Sequence, residues 1–196
     1  MARLLLAEAV PEDGCVLVLG AGGGLELKVF AQAQPGWWFV GVDPSAEMLQ
    51  LARTTLGDLA SRVEWHEGYV DTAPTGPFDG ATCLLTLHFL DAAERLRTLK
   101  ELRRRLRPGA PLVVAHHSFP QDARAKARWL ERYAAFAVAS GIDAANARSA
   151  IGAIAERLPL LDPDDEVALL AEAGFETTEL FYAGFTFKGW VARAPA

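Results

Sequence analysis

A glycine-rich turn constrains the fold of this chain more than any other stretch of its sequence. Residues 15–20 (CVLVLG) form a continuous apolar run that leads into four glycines between Gly20 and Gly24. Such a run is typical of a strand buried on both faces of a parallel sheet. Residues 24–34 then have the pattern of a helix. A strand, a glycine turn and a helix in succession allow backbone N–H groups to approach a bound ligand closely.

The rest of the chain repeats this alternation. Helices beginning near Ser45 and Asp91 separate further predicted strands at residues 37–43, 62–68, 78–87 and 110–117. This order predicts an α/β fold with a doubly wound, mostly parallel, Rossmann-like sheet and helices on both faces. Residues 175–194 alternate like an antiparallel pair that turns near Gly184, which brings the predicted sheet to seven strands with an antiparallel last strand.

Residues 120–157 interrupt the alternation, because they contain no strand-like run. We predict two helices there with a break at Gly141, followed by a last helix over residues 162–173. No low-complexity linker separates this segment from the rest. We therefore expect a single domain, 1–196, with a helical insertion, 120–157, that forms a lid or an interface.

The first inserted helix has two distinct faces. An aromatic stripe, expected to pack in a core or an interface, consists of Trp129, Tyr133 and Phe136. A basic face consists of Arg124, Arg128 and Arg132. The basic face is either solvated, or part of a lid over an anionic substrate, or a homodimer surface. The arginines at 103–105 are expected to be solvated.

Composition excludes several classes of protein. The 196 residues, 51% hydrophobic and 22% charged, suit one globular domain. The net charge of −6 argues against a non-specific nucleic-acid binder or an anionic-membrane binder. The sequence has no signal-peptide pattern and no membrane-length apolar run. We expect a soluble cytoplasmic protein without nucleic-acid or membrane partners.

Asp43 indicates which kind of ligand the glycine turn serves. It lies 19 residues after Gly24, at the end of the second predicted strand, where an acid typically accepts hydrogen bonds from ribose hydroxyls. A dinucleotide-binding turn needs a third glycine where this chain has Leu25. The pattern favours a nucleoside ligand without a pyrophosphate, and it disfavours a nicotinamide oxidoreductase.

Several segments resemble the motifs of class I methyltransferases that use S-adenosylmethionine. The segments are Val16–Gly24, GVDPSAEML (41–49), EGYVD (67–71), FDGATCLLTLHFL (78–90) and RLRPGAPLVV (105–114). The resemblance implies S-adenosylmethionine as cofactor, S-adenosylhomocysteine as product and no metal. The cofactor contacts that it implies are Gly20, Ala21, Gly22, Gly24, Asp43, Pro44, Met48, Tyr69, Val70, Leu84 and Leu85.

Two residues depart from the family pattern. Val18 stands where the first motif usually carries an acid that helps to orient the methionine ammonium group. Tyr69 stands where the third motif usually carries an acid near the adenine amino group, and its ring can stack on adenine or its hydroxyl can donate a hydrogen bond. These departures leave open a degenerate, non-catalytic nucleotide-binding protein.

The order of elements from residue 86 onward resembles the carboxy-S-adenosylmethionine synthases and their methyltransferase relatives. In those synthases an arginine of the inserted helices binds the extra carboxylate of the cofactor. Arg148 is the residue that could correspond to it. The resemblance therefore implies carboxy-S-adenosylmethionine chemistry as an alternative function.

Methyl transfer from a sulfonium is an in-line displacement in which the enzyme supplies proximity, alignment and exclusion of water. A general base is useful only when the acceptor must lose a proton. His88 and His117 lie near the carboxyl ends of the fourth and fifth strands, where ligands bind in open α/β sheets. We predict these two histidines as catalytic residues that orient or deprotonate a small-molecule acceptor, and we include Arg148 among the catalytic candidates through the resemblance described above. His116 should point to the opposite face of its strand.

Overall fold

The computed structural model describes residues 1–196, and its seven strands form one sheet. The strands are β1 Cys15–Leu19, β2 Trp38–Asp43, β3 Val63–Glu67, β4 Gly80–Leu84, β5 Pro111–His117, β6 Glu176–Gly184 and β7 Phe187–Arg193. Their spatial order is β3-β2-β1-β4-β5-β7-β6. All neighbours are parallel except β7, which runs antiparallel to β5 and β6. The predicted fold class is confirmed.

Seven α-helices connect and cover the strands. They are α1 Ala2–Ala7, α2 Leu25–Ala33, α3 Ala46–Leu56, α4 Ala92–Arg105, α5 Ala123–Ala139, α6 Ala144–Arg157 and α7 Pro163–Glu172. At the start of α3 to α7, the side chain of the N-cap residue accepts a hydrogen bond from a backbone N–H group. These N-cap residues are Ser45, Asp91, Asp122, Asp143 and Asp162 respectively. None of the helices is both long enough and apolar enough to span a membrane.

Both faces of β1 are buried, which explains its continuous apolar run. Leu17 and Leu19 belong to the apolar cluster beneath α4 and α7, whereas Val16 and Val18 belong to the cluster beneath α1, α2 and α3. The strand order reverses between β1 and β4. The glycine turn that follows β1 therefore lies at the switch point where ligands bind in sheets of this kind.

Two elements differ from the sequence-based expectations: one strand is shorter than predicted, and one helix was not predicted. The strand expected over 78–87 is shorter, because Leu85 has a φ of +57° that ends the extended backbone after β4. Helix α1 has no counterpart among the predicted elements. Its Leu6 is fully buried against β4 and β5, and this tertiary packing stabilises a helix too short to form alone.

The inserted helices α5 and α6 break at Gly141 as predicted, and they pack on each other around a small apolar cluster that contains Leu130 and Ile154. The aromatic stripe of α5 reaches the turn between β6 and β7. The ring centroid of Phe136 lies 5.1 Å from that of Phe185. The insertion is therefore attached to the antiparallel end of the sheet.

Two arginines of α4 are buried. Arg105, expected in solvent, is fully buried and donates to the main-chain oxygens of Asp71, Ala73 and Pro74. The expectation is wrong at this position because the helical period places residue 105 on the same buried stripe as Leu99 and Leu102. The guanidinium replaces water as the partner of these carbonyl groups.

Arg95, one turn into α4, forms a buried ion pair with Glu166 of α7. Its second terminal nitrogen donates to the main-chain oxygens of Leu90 and Pro159, at 3.0 Å each. The pair therefore joins the segment before α4 to the segment before α7.

Candidate active site at the carboxyl edge of the sheet

The glycine turn has a backbone that only glycine adopts without strain. The φ angles of Gly20, Gly22 and Gly24 are +76°, +49° and +79°. A Cβ atom on Gly20 would lie 2.0 Å from Oγ1 of Thr86, in the turn after β4. A Cβ atom on Gly22 would meet no atom closer than 3.8 Å, with Met48 Cε as one of the two nearest. The loop is thus pressed against the turn after β4 on one side and open on the other.

Asp43, the last residue of β2, holds the open side of the glycine turn in place through hydrogen bonds to its carboxylate. Its Oδ2 accepts a hydrogen bond from the Gly22 amide at 2.9 Å, and its Oδ1 accepts one from the Ser45 amide at 2.9 Å. A carboxylate can accept about four hydrogen bonds, so both oxygens keep acceptor capacity for hydroxyl groups of a ligand. The structure therefore joins the two strongest sequence signals through one side chain.

The other predicted cofactor contacts lie around the same edge. Pro44 and Met48 are exposed at the start of α3, and Tyr69 is 67% exposed after β3. Leu84 is the last residue of β4, and Leu85, which follows it, is exposed. Ala21 and Val70 differ, because their side chains are buried in the core. Only the main chain of these two residues is available to a ligand.

His88 and His117 are adjacent in the structure. His117 is the last residue of β5, and its amide donates to Nδ1 of His88 at 3.4 Å. Its own Nδ1 lies 2.9 Å from the Thr186 hydroxyl. The His117 ring stacks on Phe187 with 4.0 Å between centroids, and Tyr133 of α5 meets it edge-on. Residues far apart in the chain thus form one aromatic wall beside the turn that contacts Gly20.

Both histidines are neutral at physiological pH. Burial lowers the pKa of His88 to about 3, with further lowering by His117, His116 and Arg95. Burial, assisted by His116, lowers the pKa of His117 to about 4. A side chain with so low a pKa is a weak general base at pH 7. The environment favours hydrogen-bonding and orienting roles over proton abstraction.

His116 points to the other face of β5, as expected from strand geometry. Its ring lies 5.6 Å from that of Trp190, and its Nε2 lies 3.0 Å from Oε1 of Glu166. Arg148 is exposed on α6 and makes no hydrogen bond or ion pair with another residue. No contact joins it to His88 or His117, and its role stays a prediction.

Glu26, which the sequence analysis did not single out, is the least expected residue of this edge. It lies in the first turn of α2, and its carboxyl accepts a hydrogen bond from the hydroxyl of Thr82 in β4. Burial raises the pKa of this carboxyl to about 7. The sequence carries no signal for it, because acids are common in the first turn of helices.

A Rossmann-like sheet with a glycine turn at its switch point and an acid after the second strand defines a nucleoside-binding α/β protein. Residues 16–109, just under half of the chain, match a family model described as a methyltransferase domain. In this region and in its fold, the chain is similar to the class I S-adenosylmethionine-dependent methyltransferases.

Individual relatives agree with this family. The chain is 36% identical over 115 residues to a trans-aconitate 2-methyltransferase of Azoarcus sp. (strain BH72), covering 58% of this chain and 43% of that protein. It is 29% identical over 189 residues to a carboxy-S-adenosyl-L-methionine synthase of Chromohalobacter salexigens, covering 91% of this chain and 66% of that protein. The chain thus spans less than two thirds of either relative.

The fold also matches solved structures. Human N-acetylserotonin methyltransferase in complex with S-adenosylmethionine superposes with a TM-score of 0.70 at 16% identity, over 100% of this chain and 52% of that one. At such identity the likeness concerns the fold alone.

Proposed function

We propose that this chain binds S-adenosylmethionine across the glycine turn and transfers its methyl group to a small-molecule acceptor, releasing S-adenosylhomocysteine. The observation that carries the proposal is the hydrogen bond from Gly22 to Asp43, which forms an open backbone cradle beside a carboxylate with acceptor capacity to spare. The cradle fits a nucleoside because a Cβ atom on Gly22 would enter open space beside Met48.

Each part of the cofactor has candidate partners in this chain. The main chain of Gly20 to Gly24 would line the amino-acid end, with the Gly23 amide as the donor, because the other amides of the turn already donate within the protein. Asp43 would accept from the ribose hydroxyls, and Tyr69 and Met48 would supply surfaces for adenine. When bound, the cofactor supplies an activated methyl group on its sulfonium. The protein then needs to align the acceptor and exclude water, which requires positioning more than acid–base chemistry.

The acceptor is proposed to lie against the wall formed by His88, His117, Tyr133 and Phe187. The neutral imidazoles offer hydrogen-bond donors or acceptors, and the rings exclude water. An anionic acceptor fits the basic face of α5, and the Azoarcus relative carries the name of a carboxylate substrate, trans-aconitate. We infer that the acceptor is a small carboxylate, reached in the cytoplasm.

Isothermal titration with S-adenosylmethionine and S-adenosylhomocysteine tests the cofactor. Both should bind in the micromolar range, and D43N should weaken both by at least about tenfold, equal to about 1.4 kcal/mol. The matched control is D58N, which replaces an exposed aspartate after α3 and should leave both affinities unchanged. Absence of heat with either nucleoside at high micromolar concentration would refute the proposal.

A second candidate is carboxy-S-adenosylmethionine chemistry, favoured by the relatives with that name that cover 91% and 96% of this chain. Here Arg148 would bind the additional carboxylate. Mass spectrometry of the nucleoside that co-purifies with the protein distinguishes the two functions. A mass without the extra carboxylate removes this candidate, whereas a mass with it, lost in R148A, favours it.

The insertion is also proposed as a lid or a homodimer surface. Support comes from three apolar side chains that are 44 to 50% exposed, Phe136, Val138 and Ile142. Light scattering of the wild type and of V138K tests the surface, because a dimer built on it should dissociate in the variant. If the wild type is a monomer, the dimer surface is refuted and only the role as a lid remains.

A further inference from the structure

The carboxyl of Glu26 sits beside a cavity of about 470 Å³ between α1, α2 and the sheet. The cavity is lined mostly by apolar side chains, among them Leu25, Leu84, Ala115 and Phe181. Leu84 ends β4 and Leu25 begins α2, so this space adjoins the glycine turn. An apolar cavity with an acid at its wall is chemically unusual, because carboxylates are rarely placed there without a partner.

This acid forms no ion pair within the protein. Its pKa is governed by burial, which raises it to about 7, and by the hydrogen bond from Thr82, which lowers it. The other titratable groups around it are Met1 and Arg3 at the start of α1, Tyr182 of β6 and Cys83 of β4. None of these four forms an ion pair with it. The site is therefore complementary to a cation supplied from outside the chain.

The register of the sheet places this acid beside Val18. Val18 of β1 pairs with Thr82 of β4, and Thr82 is the residue that donates to Glu26. The Glu26 carboxyl thus lies over the β1–β4 pair, two residues before β4 reaches the edge at Leu84. Position 18 itself provides only a buried apolar side chain.

We propose that Glu26 is the carboxylate that binds the α-ammonium group of the cofactor, a role for which Val18 is unsuited. This inference rests on the proposed function, because it names a partner for one group of S-adenosylmethionine. An ammonium group donates three hydrogen bonds, whereas a sulfonium donates none, so the ammonium is the cation that a hydrogen-bonding carboxylate selects. The acid that is absent at Val18 is thereby replaced by one from the next helix.

Two nucleosides separate the ammonium from the rest of the ligand. S-adenosylhomocysteine carries the amino-acid end, and 5′-methylthioadenosine lacks it. In E26Q the affinity for S-adenosylhomocysteine should fall by at least about tenfold, and the affinity for methylthioadenosine should change by less than about twofold. The matched control is E47Q, an exposed acid in the first turn of α3, which should leave both affinities unchanged.

Rescue and pH dependence provide two further readouts. An acid restored at position 18, in V18D/E26Q, should recover part of the lost S-adenosylhomocysteine affinity. Between about pH 6 and pH 8 the wild-type affinity should rise as the Glu26 carboxyl ionises, and it should be flat in E26Q. T82V keeps the carboxyl but removes its hydrogen bond, and therefore tests the site even where E26Q fails to fold.

The outcomes separate the two proposals. If the wild type binds neither nucleoside, the proposed function fails. If the wild type binds both and E26Q weakens both equally, or neither, Glu26 has only a structural role and this inference alone is overturned. If T82V leaves the pH profile of S-adenosylhomocysteine binding unmoved, the inference is likewise refuted, since loss of that hydrogen bond should shift the midpoint upward.

Discussion

Replacing Gly20 by alanine tests how tightly the glycine turn packs against the turn after β4 that contains Thr86. An alanine there must adopt a φ of +76°, and its Cβ would lie 2.0 Å from Thr86 Oγ1. A left-handed alanine costs about 1–2 kcal/mol, and overpacking in a filled site adds about 1–3 kcal/mol. We expect G20A to lower the free energy of unfolding by about 2–4 kcal/mol, because reduced freedom of the unfolded chain offsets part of the strain.

Gly109 is a matched control for the backbone strain alone. Its φ is +72°, and a Cβ atom would meet nothing within 4 Å. We expect G109A to cost only about 1 kcal/mol in urea unfolding followed by circular dichroism. The difference between the two variants measures the contact with Thr86.

Ligand binding provides the second readout of the same experiment. Relief of the clash in G20A must displace the turn or Thr86, and we expect affinity for S-adenosylhomocysteine to fall at least about tenfold, against no change in G109A. T86A in the G20A background removes the closest atom and should recover part of both losses. Equal stability of G20A and G109A, or undiminished binding by G20A, would refute this account of the turn.

Three further predictions concern buried charged and titratable groups. R95M removes the arginine counter-charge of the buried Glu166, which keeps only His116 as a neighbour, and should lower the free energy of unfolding by about 3–5 kcal/mol in urea, whereas pairing it with E166L should recover much of that loss. R105K keeps the charge but cannot satisfy the carbonyl groups of residues 71–74, so hydrogen exchange in this loop should accelerate while exchange in the sheet is unchanged; uniform acceleration would contradict this local role. His88 and His117 have folded pKa values of about 3 and about 4, below the ordinary 6.5, so the unfolded chain binds more protons at mildly acidic pH. The contribution of the two histidines to the free energy of unfolding should therefore be fully present above about pH 6.5 and should fall as the pH decreases toward 4. A series of urea unfolding measurements over this range should show a smaller decline in H117N.

The sheet was predictable because its signals are local. The apolar run before Gly20 and the position of Asp43 follow from burial on both faces and from the length of one strand–helix–strand unit. The stop of β4 at Leu84 was not predictable, because a single positive φ at Leu85 ends the strand within an apolar run. Helix α1 depends on burial of Leu6 against distant strands, which a short apolar segment does not reveal.

The residues of the candidate site likewise divide into those that the sequence could predict and those that it could not. His88 and His117 could be proposed from their places near the ends of two strands. Their neutral state comes from burial, and the rings that pack on His117, Tyr133 and Phe187, are far away in the sequence. Glu26 could not be proposed, because its importance arises from the register of β1 with β4. By contrast, the burial of Arg105 could have been found from the helical period, since the position lies on the apolar stripe of α4.

The contact between His117 and Thr186 has a consequence for the order in which the site is made. The partners are 69 residues apart, so the aromatic wall forms only after nearly the whole chain has left the ribosome. The glycine turn, Asp43 and Ser45 come together within a short N-terminal stretch, while β4 must join β1 before Thr86 contacts Gly20. Because chains emerge at about 5–20 residues per second, the residues of the glycine turn and Asp43 emerge several seconds before Thr186 and Phe187. A nascent chain therefore has the residues of the proposed nucleoside site before it has those that complete the aromatic wall.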